Sequence, residues 1–481
     1  MSKYPMIIQG GMGVAVSGWQ LARAVAETGQ LGVVSGTALD VVLVRRLQLG
    51  DPAGDLRRAF DAFPYHDIAT RVWERYYIPG GKHPAAPFAT CPLPSHMPTQ
   101  SQQELLVLAN FVEVYLAKED HHGPIGINYL HKIQTSIVPS LFGAMFAGVD
   151  YVLMGAGIPR TIPGILDRLA EGLPCSLPID VEGVSGDRDY DVRFDPRSIC
   201  GADMPWLNRP AFLAIVASAT LASMLTKKAN GHVDGFVVEC HTAGGHNAPP
   251  RGPMRLNERG EPIYGQRDDV DFEAFCKLDR PFWLAGGYGS PERLCEALGL
   301  GATGIQVGTA FAFCNESGLT SALKQQTLEQ IRAGTLDVIT DPVASPTGFP
   351  FKVLQLNGTL SDRQTTPRRL TCDLGYLRHA FERDDQSLGW RCPAERIDAY
   401  MQKGGEYQDT CGRQCLCNAL LANVGLGQIR DGIEELPLLT SGDDGNSVLT
   451  YLSSDNGLAY DARDVVAHLL SQVANTTMSV P

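Results

Sequence analysis

The chain has 481 residues, 44% of them hydrophobic, which is enough apolar material for one large core with additions. Its 40 Lys and Arg residues against 53 Asp and Glu residues give a net charge of −13 at pH 7, which disfavours binding to nucleic acid and to anionic membranes. Its 12 cysteines are too dilute for a disulfide scaffold. The start of the sequence lacks a signal-type segment and no apolar run is long enough to span a membrane, so we expect a cytoplasmic protein.

Short runs of β-forming residues alternate along the chain with helical patterns, as in parallel βαβ units. We predict eight strands, at residues 6–9, 31–35, 124–128, 151–154, 212–216, 235–239, 282–285 and 304–307. Amphipathic stretches lie between them at residues 19–28, 135–146, 161–171, 220–229 and 291–298. Eight such units in series favour an α/β fold of the closed (β/α)8 TIM barrel type, with an open doubly wound sheet as the alternative.

Two segments interrupt this alternation. Residues 50–123 are too long for a βα connection and contain three helical patterns, so we expect a helical insertion over the barrel mouth. Residues 174–210 are predicted to form a surface hairpin around the polar stretch 185–189. We therefore expect a barrel domain over residues 1–358 and a mainly helical C-terminal extension over residues 359–481 that packs on it.

The sequence Ala243-Gly244-Gly245-His246 follows the sixth predicted strand. A flexible turn at the end of a barrel strand presents the next polar side chain to the space above the barrel. We therefore take His246 as the candidate catalytic residue, while the simpler interpretation is an ordinary histidine in a local turn. Glu239, Cys240 and His241 are near enough in sequence to support it, although packing alone would account for Cys240.

A glycine-rich turn also follows the first predicted strand. It consists of Gly10, Gly11, Met12 and Gly13. Glycines allow a flat ligand to lie against the main chain, and methionine offers it a polarizable contact. The spacing is G-G-x-G, which differs from the G-x-G-x-x-G fingerprint of dinucleotide-binding proteins. The turn therefore indicates a ligand surface without defining a dinucleotide site.

Two more glycine turns lie at the ends of the seventh and eighth predicted strands. Gly286 and Gly287 follow the seventh strand, and Gln306, Gly308 and Thr309 lie at the end of the eighth. In TIM barrels the turns after these two strands frequently bind phosphate through backbone N–H groups. Together they predict a phosphate-bearing ligand at this side of the barrel.

Taken in chain order, these motifs resemble the nitronate monooxygenases, a family once called 2-nitropropane dioxygenases. The segments that carry the resemblance are residues 8–13, Gly126-Ile127-Asn128, and residues 155–159, 243–246, 285–287, 304–311 and 316–317. The resemblance covers residues 6–356 and implies an FMN cofactor on the TIM barrel. In the family the phosphate lies on the turns that match Gly286-Gly287 and Gly308-Thr309, and the histidine that matches His246 faces the flavin as a base or as an anchor for negative charge.

The resemblance also implies a set of cofactor-binding residues and no metal. The set consists of Gly10, Gly11, Met12, Gly13, Asn128, Gly244, Gly245, Gly286, Gly287, Gln306, Gly308 and Thr309. The implied reaction is oxidation of a nitronate by O2 to a carbonyl compound and nitrite, because a nitronate is already a carbanion equivalent that can reduce FMN without a pyridine nucleotide. The implied partners are a small-molecule substrate and O2, and a homodimer is compatible with the sequence.

Two other functions are compatible with the same motifs. FMN-dependent NAD(P)H enoyl-thioester reductases resemble S-G-G-H-T-D at the histidine motif, whereas this chain reads Ala243-Gly244-Gly245-His246-Asn247-Ala248, which favours nitronate oxidation. A non-catalytic flavin-binding assembly protein is the third interpretation. Past the motif, consecutive prolines stiffen the loop, and Arg251 either faces solvent or binds an anionic substrate group.

The C-terminal extension goes beyond what a minimal member of the family needs. It contains five cysteines, at Cys372, Cys392, Cys411, Cys415 and Cys417. We interpret them as free thiols, with a zinc or iron–sulfur site as the alternative. Residues 440–445 are predicted to form a loop with solvated carboxylates, and residues 462–473 an amphipathic helix.

Overall fold

The computed structural model describes residues 4–184, 190–202, 204–362, 371–452 and 457–477. Eight parallel strands form its central sheet, and we number them in chain order. They are β1 Ile7–Gln9, β2 Gly32–Ser35, β3 Ile125–Leu130, β4 Tyr151–Gly155, β5 Ala211–Val216, β6 Gly235–Glu239, β7 Phe282–Ala285 and β8 Gly304–Val307. Each of the eight predicted strands is therefore present, with its ends within two residues of the prediction.

The sheet closes into a barrel because β1 pairs with both β8 and β2. On one side Ile7, Ile8 and Gln9 lie in parallel register with Ile305, Gln306 and Val307. On the other side the Gln9 N–H donates to the Leu31 carbonyl at 2.9 Å, and the Leu31 N–H donates to the Ile7 carbonyl at 3.1 Å. The predicted (β/α)8 barrel is confirmed, because an open doubly wound sheet would leave β1 or β2 at an edge.

A compact apolar cluster fills the barrel interior. It is separate from the apolar layer between the barrel and the surrounding helices. Its buried members are Ile8, Leu31, Val33, Leu153, Leu213, Val237, Trp283 and Ala285. Trp283 is fully buried, and its indole N–H donates to the Pro5 carbonyl at 2.8 Å. Because side chains alternate along a strand, residues two positions beyond these members face the space above the cluster.

Helices of the outer layer follow the barrel strands. Their bounds are Trp19–Ala26, Leu39–Gln48, Gln134–Phe146, Ile162–Ala170, Ala219–Lys228, Phe272–Cys276, Pro291–Gly299, Thr309–Ala312 and Ser321–Ala333. Two of them begin where the sequence supplies a serine cap. The Ser218 hydroxyl accepts from the Leu221 N–H, and the Ser290 hydroxyl accepts from the Arg293 N–H.

The insertion between β2 and β3 contains the three predicted helices, at Asp55–Ala62, His66–Tyr76 and Gln100–Lys118. The longest, Gln100–Lys118, packs against Gln134–Phe146 and Trp19–Ala26, so it lies in the outer helical layer. The expectation that the insertion covers the barrel mouth is wrong for this helix, because it is apolar on nearly every side and becomes buried among other helices.

Short strands outside the barrel form small antiparallel pairs. They are Cys175–Pro178 with Asp191–Phe194, Val338–Asp341 with Phe351–Leu354, His379–Glu382 with Leu388–Arg391, and Ile429–Arg430 with Ile433–Glu434. The first pair corresponds to the predicted surface hairpin, whose polar stretch 185–189 lies outside the described residues. Val181–Glu182 adds to His379–Glu382 in parallel, so the hairpin region contacts the C-terminal extension.

Most regular structure of the C-terminal extension is helical. Its helices are Ile397–Gln402, Tyr407–Thr410, Leu416–Ala422, the 3-10 helix Gly445–Tyr451 and Ala462–Thr477. The last of these packs against the barrel helices Pro291–Gly299 and Trp19–Ala26. Across the described ranges, no helix combines the length and the apolar character needed to cross a membrane.

The barrel interior should be sensitive to loss of volume. Leu153 is fully buried in the interior cluster, so Leu153→Ala should lower the free energy of unfolding by about 2–5 kcal/mol through lost burial and a cavity. Leu256 is 50% exposed, and Leu256→Ala should change stability by less than about 0.5 kcal/mol. Denaturant unfolding of both variants measures the difference; equal effects would contradict a packed barrel core.

Candidate active site

A cavity of about 250 Å³ lies above the interior cluster, at the C-terminal ends of the barrel strands. Every residue that the sequence singled out as catalytic or cofactor-binding lines it. These residues are Gly10, Gly11, Met12, Gly13, Asn128, Gly244, Gly245, His246, Gly286, Gly287, Gln306, Gly308 and Thr309. The closed barrel therefore brings together positions that are up to 299 residues apart in the chain.

The turn after β1 is held in place by a buried serine. The Ser17 hydroxyl accepts from the Met12 N–H at 2.8 Å and donates to the Gly10 carbonyl at 3.0 Å. Gly11 lies so close to β3 that an added Cβ would be 2.5 Å from the Asn128 Cβ, so only glycine fits there. The Asn128 side-chain N–H in turn donates to the Gly11 carbonyl at 3.3 Å.

Three polar side chains from three strands form the floor of the cavity. Asn128, Glu239 and Gln306 face the barrel interior, because Asn128 is in register with Leu153 and the other two with Ala285. The side-chain oxygens of Asn128 and Gln306 are buried and have no hydrogen-bond partner among the described residues. Burial raises the pKa of Glu239 to about 7. A ligand with hydrogen-bond donors could bind to the side-chain oxygens of these three residues.

The glycine turns after β7 and β8 line one side of the cavity. Gly286 and Gly287 both have positive φ, and an added Cβ at Gly286 would be 2.9 Å from the Thr242 hydroxyl oxygen. Within the described residues, the backbone N–H groups of Gly287 and Gly308 donate to no other backbone group. Such unused N–H groups beside a cavity are available to an anionic ligand.

His246 lies in the cavity wall with an environment that keeps its ring neutral. Its Nε2 shares a hydrogen bond of 2.7 Å with the Ser345 hydroxyl, and its ring packs edge-on against Phe351 with centroids 4.8 Å apart. Burial lowers the pKa of His246 to about 4. At neutral pH the imidazole is therefore uncharged, which disfavours a role as a protonated anchor for negative charge.

The supporting residues expected near His246 behave differently from one another. Glu239 lines the cavity, whereas the His241 ring is exposed and stacks on Tyr264 with centroids 4.1 Å apart. Arg251 uses its guanidinium to donate to the main-chain carbonyls of Arg267 and Ala217. Arg251 thus ties two surface loops together and does not line the cavity.

The C-terminal extension supplies a wall of the cavity that the sequence did not indicate. The Gly245 N–H donates to the Thr440 hydroxyl at 2.7 Å, and the Gly442 N–H donates to the Thr309 hydroxyl at 3.1 Å. The expectation of solvated carboxylates in residues 440–445 is only half correct. Asp443 is exposed, but Asp444 lines the cavity beside Thr309, and burial raises the pKa of its carboxyl.

An ion pair fixes this tail loop to the strand that borders it. The Lys352 ammonium, whose side chain is 3% exposed, lies 2.6 Å from an Asp443 carboxylate oxygen. The same ammonium donates to the Thr340 hydroxyl at 2.7 Å. Because Lys352 is almost fully buried, the pair favours the docked position of the loop more strongly than a surface ion pair would.

Four of the five cysteines in the extension line a second, much smaller cavity. They are Cys372, Cys392, Cys415 and Cys417. The thiols of Cys372 and Cys392 are hydrogen-bonded to each other, and this contact lowers the pKa of Cys372. In the part of the chain that the structure describes, no group of three or more His, Cys, Asp or Glu side chains is arranged to hold a metal ion.

The family model that matches this chain covers the second half of the barrel, from β5 to β8. Residues 207–347 match the family model described as nitronate monooxygenase. A probable nitronate monooxygenase of Bacillus subtilis (strain 168) is 34% identical over 121 residues, which are 25% of this chain and 33% of that protein. The chain thus matches about one third of the length of this curated relative.

Two solved structures show weaker, global likeness. FabK from Thermotoga maritima has a TM-score of 0.48 and 16% identity, covering 98% of this chain and 94% of its own. The nitroalkane oxidase from Streptomyces ansochromogenes has a TM-score of 0.45 and 15% identity, covering 99% and 98%.

The fold and the site define an α/β-barrel protein with one ligand cavity at the rim where the strands end. The family match spans β5 to β8, with His246 and the glycine turns after β7 and β8. Over residues 207–347 the chain is similar to the nitronate monooxygenase family.

Burial of a neutral His246 should make stability depend on pH. The pKa of His246 is about 4 in the folded protein and about 6.5 when unfolded, so the unfolded state binds the extra proton first as pH falls. Relative to His246→Gln, the wild type should lose about 2 kcal/mol of unfolding free energy between about pH 8 and about pH 5. Denaturant titrations at both pH values test this. Ser345→Ala should keep the loss, because burial is its cause.

Proposed function

We propose that the protein binds FMN in this cavity and oxidises a nitronate, or a similar stabilised carbanion, with O2 to a carbonyl compound and nitrite. The observation that carries the proposal is the family match over residues 207–347, because that segment contains His246 and both glycine turns of the cavity. The proposed activity rests on that match, and the residues that line the cavity are compatible with it.

The residues present fit an FMN molecule. The free backbone N–H groups of Gly287 and Gly308 suit a phosphate, and the unpartnered amide oxygens of Asn128 and Gln306 suit the N–H of a flavin ring. Met12 and the glycines of the β1 turn offer a flat apolar surface. Bound FMN would supply an electron acceptor for the carbanion and a route for its electrons to O2.

The remaining cavity residues orient the substrate and keep water away. A neutral His246 held by Ser345 can hydrogen-bond a nitro group without contributing charge. Leu377, Leu416 and Leu420 of the C-terminal extension add apolar surface to the lining of the cavity. Exclusion of water strengthens every polar contact with the substrate and protects reactive states from hydrolysis.

Anaerobic mixing separates the two oxidoreductase functions. Purified, flavin-loaded protein is mixed without O2 with a nitronate in one cuvette and with NADPH in another, and the flavin absorbance is followed. We expect bleaching by the nitronate alone, because a carbanion equivalent needs no hydride donor. Bleaching by NADPH alone would transfer the assignment to an enoyl-thioester reductase. A bound flavin that neither reagent bleaches would favour a non-catalytic flavin-binding protein.

Asp444 should make FMN binding depend on pH. Its carboxyl lies beside the predicted phosphate turn, and its raised pKa keeps it neutral to higher pH than an ordinary aspartate. As pH rises and Asp444 ionises, repulsion should weaken FMN binding, so that Asp444→Asn binds about tenfold more tightly than wild type at alkaline pH. Quenching of flavin fluorescence measures both affinities. Riboflavin, which lacks the phosphate, serves as the control and should bind both proteins alike.

A further inference from the structure

Four cysteines of the C-terminal extension form a compact thiol cluster to which the proposed function gives no role. Cys392 and Cys415 are buried, and the partly buried Cys372 and Cys417 pack against them. All four thiols are free, and they line a cavity of about 10 Å³, which has room for about one water molecule. The cluster therefore places oxidisable sulfur atoms around a point that a water-sized molecule can occupy.

Strand pairing in the extension brings two of these cysteines together. The strands His379–Glu382 and Leu388–Arg391 are antiparallel and paired over their whole length, so the chain that enters this hairpin lies near the chain that leaves it. Cys372 lies on the entering side, and Cys392 directly follows the second strand. Their thiols are hydrogen-bonded to each other. A disulfide between them would close a loop around one hairpin, without joining distant parts of the fold.

A fixed positive charge lies near Cys372. The Arg378 guanidinium is held over the Trp390 ring, 5.3 Å from its centroid, and donates to two main-chain carbonyls at 3.1 and 2.7 Å. The hydrogen bond with Cys392 lowers the pKa of Cys372 to about 7, and the charge of Arg378 acts in the same direction. Because the thiolate is the reactive form of cysteine, Cys372 is suited to attack an oxidant and Cys392 to react second.

The thiol cluster shares a wall with the candidate active site. Leu377, Leu416 and Cys417 line both the small cavity and the large one, so these side chains separate the two. Leu377 is buried and belongs to the same loop as Cys372. Two sulfur atoms in a disulfide lie closer together than two hydrogen-bonded thiols, so a disulfide at Cys372 requires this loop to shift. The shift would disturb the apolar wall of the active site.

We propose that Cys372 and Cys392 form a peroxide-reactive pair that converts reversibly to a disulfide and thereby weakens ligand binding in the active-site cavity. The Cys372 thiolate attacks hydrogen peroxide, so that an S–O bond forms, the O–O bond breaks and the departing hydroxide takes up a proton. Cys392 then loses its proton and attacks the Cys372 sulfur, and the S–S bond forms as the S–O bond breaks and water leaves. Two thiols are oxidised, and one peroxide is reduced to two water molecules. The thiol chemistry is independent of the proposed function, whereas its effect on the cavity rests on FMN being the ligand.

Mass spectrometry of the oxidised full-length protein tests the pairing. The thiols of the flavin-loaded protein are reduced, the reductant is removed, and an equimolar amount of hydrogen peroxide is added before alkylation and digestion. We expect a cross-linked pair of peptides that contains Cys372 and Cys392 and that dithiothreitol separates again. Cys392→Ser should stop at the sulfenic acid of Cys372, which dimedone traps.

Two further variants test which thiol reacts first. Cys372→Ser should slow the peroxide-dependent loss of thiols at least about tenfold, because it removes the reactive thiolate. Cys411→Ser is the matched control, because Cys411 belongs to the same extension but is exposed and lies outside the small cavity. It should form the disulfide as fast as wild type. Thermal unfolding checks that each variant is folded.

Quenching of flavin fluorescence measures the effect on the active site. The disulfide form should bind FMN at least about fivefold more weakly than the reduced form, and dithiothreitol should restore the affinity. Cys372→Ser should bind FMN equally well with and without peroxide treatment. This comparison separates the effect of the disulfide from oxidation elsewhere in the protein.

Three results would overturn the proposal. The first is that peroxide oxidises other thiols and leaves Cys372 and Cys392 unlinked. The second is a zinc ion or an iron–sulfur cluster in the purified protein that is released when the four cysteines are alkylated. The third is equal FMN affinity of the reduced and disulfide forms. Failure of the proposed function gives a different pattern, in which a nitronate does not bleach the bound flavin although the disulfide forms and weakens FMN binding.

Discussion

The pairing of β1 with both β8 and β2 closes the barrel, and the cavity depends on this closure. Because all eight strands run in parallel, their C-terminal ends meet at one rim, and the closed ring leaves each strand only one register. That register places Asn128, Glu239 and Gln306 in one layer above the packed core. In an open sheet the same side chains would lie along a line, too far apart to face one ligand.

The strands and the glycine turns were predictable because both have local signals. A buried parallel strand is a short apolar run, and a turn that needs positive φ selects glycine, as at Gly286 and Gly287. The barrel architecture then converts chain order into spatial order, so the ends of β1, β3, β6, β7 and β8 had to meet. The barrel architecture and the resemblance to the nitronate monooxygenases together predict that residues from Gly10 to Thr309 share one cavity, which they line.

The covering of the barrel mouth could not be predicted, because it depends on contacts between distant parts of the chain. Thr440 and Gly245 are 195 residues apart and are joined by one hydrogen bond. Locally, residues 440–445 have the composition of a solvated loop, and nothing in that composition indicates that Asp444 borders a cavity. For the helix Gln100–Lys118, the prediction of a position over the barrel mouth was wrong. Its all-round apolar character indicated that it is buried, but not which surface of the protein buries it. For Glu239, strand alternation gives the direction of the side chain, but only the structure shows that burial raises the pKa of its carboxyl.

The ion pair between the buried Lys352 and the exposed Asp443 connects the state of the cavity to the folding of the last part of the chain. Residues near position 440 form one wall, so the binding site is incomplete until the extension has docked. During synthesis, a barrel that has emerged as far as β8 would bind its ligand in an open cavity that lacks the wall formed by the extension. The last wall of the cavity forms only after about 140 more residues have been synthesised. A ligand that is then enclosed stabilises the docked position of the C-terminal extension.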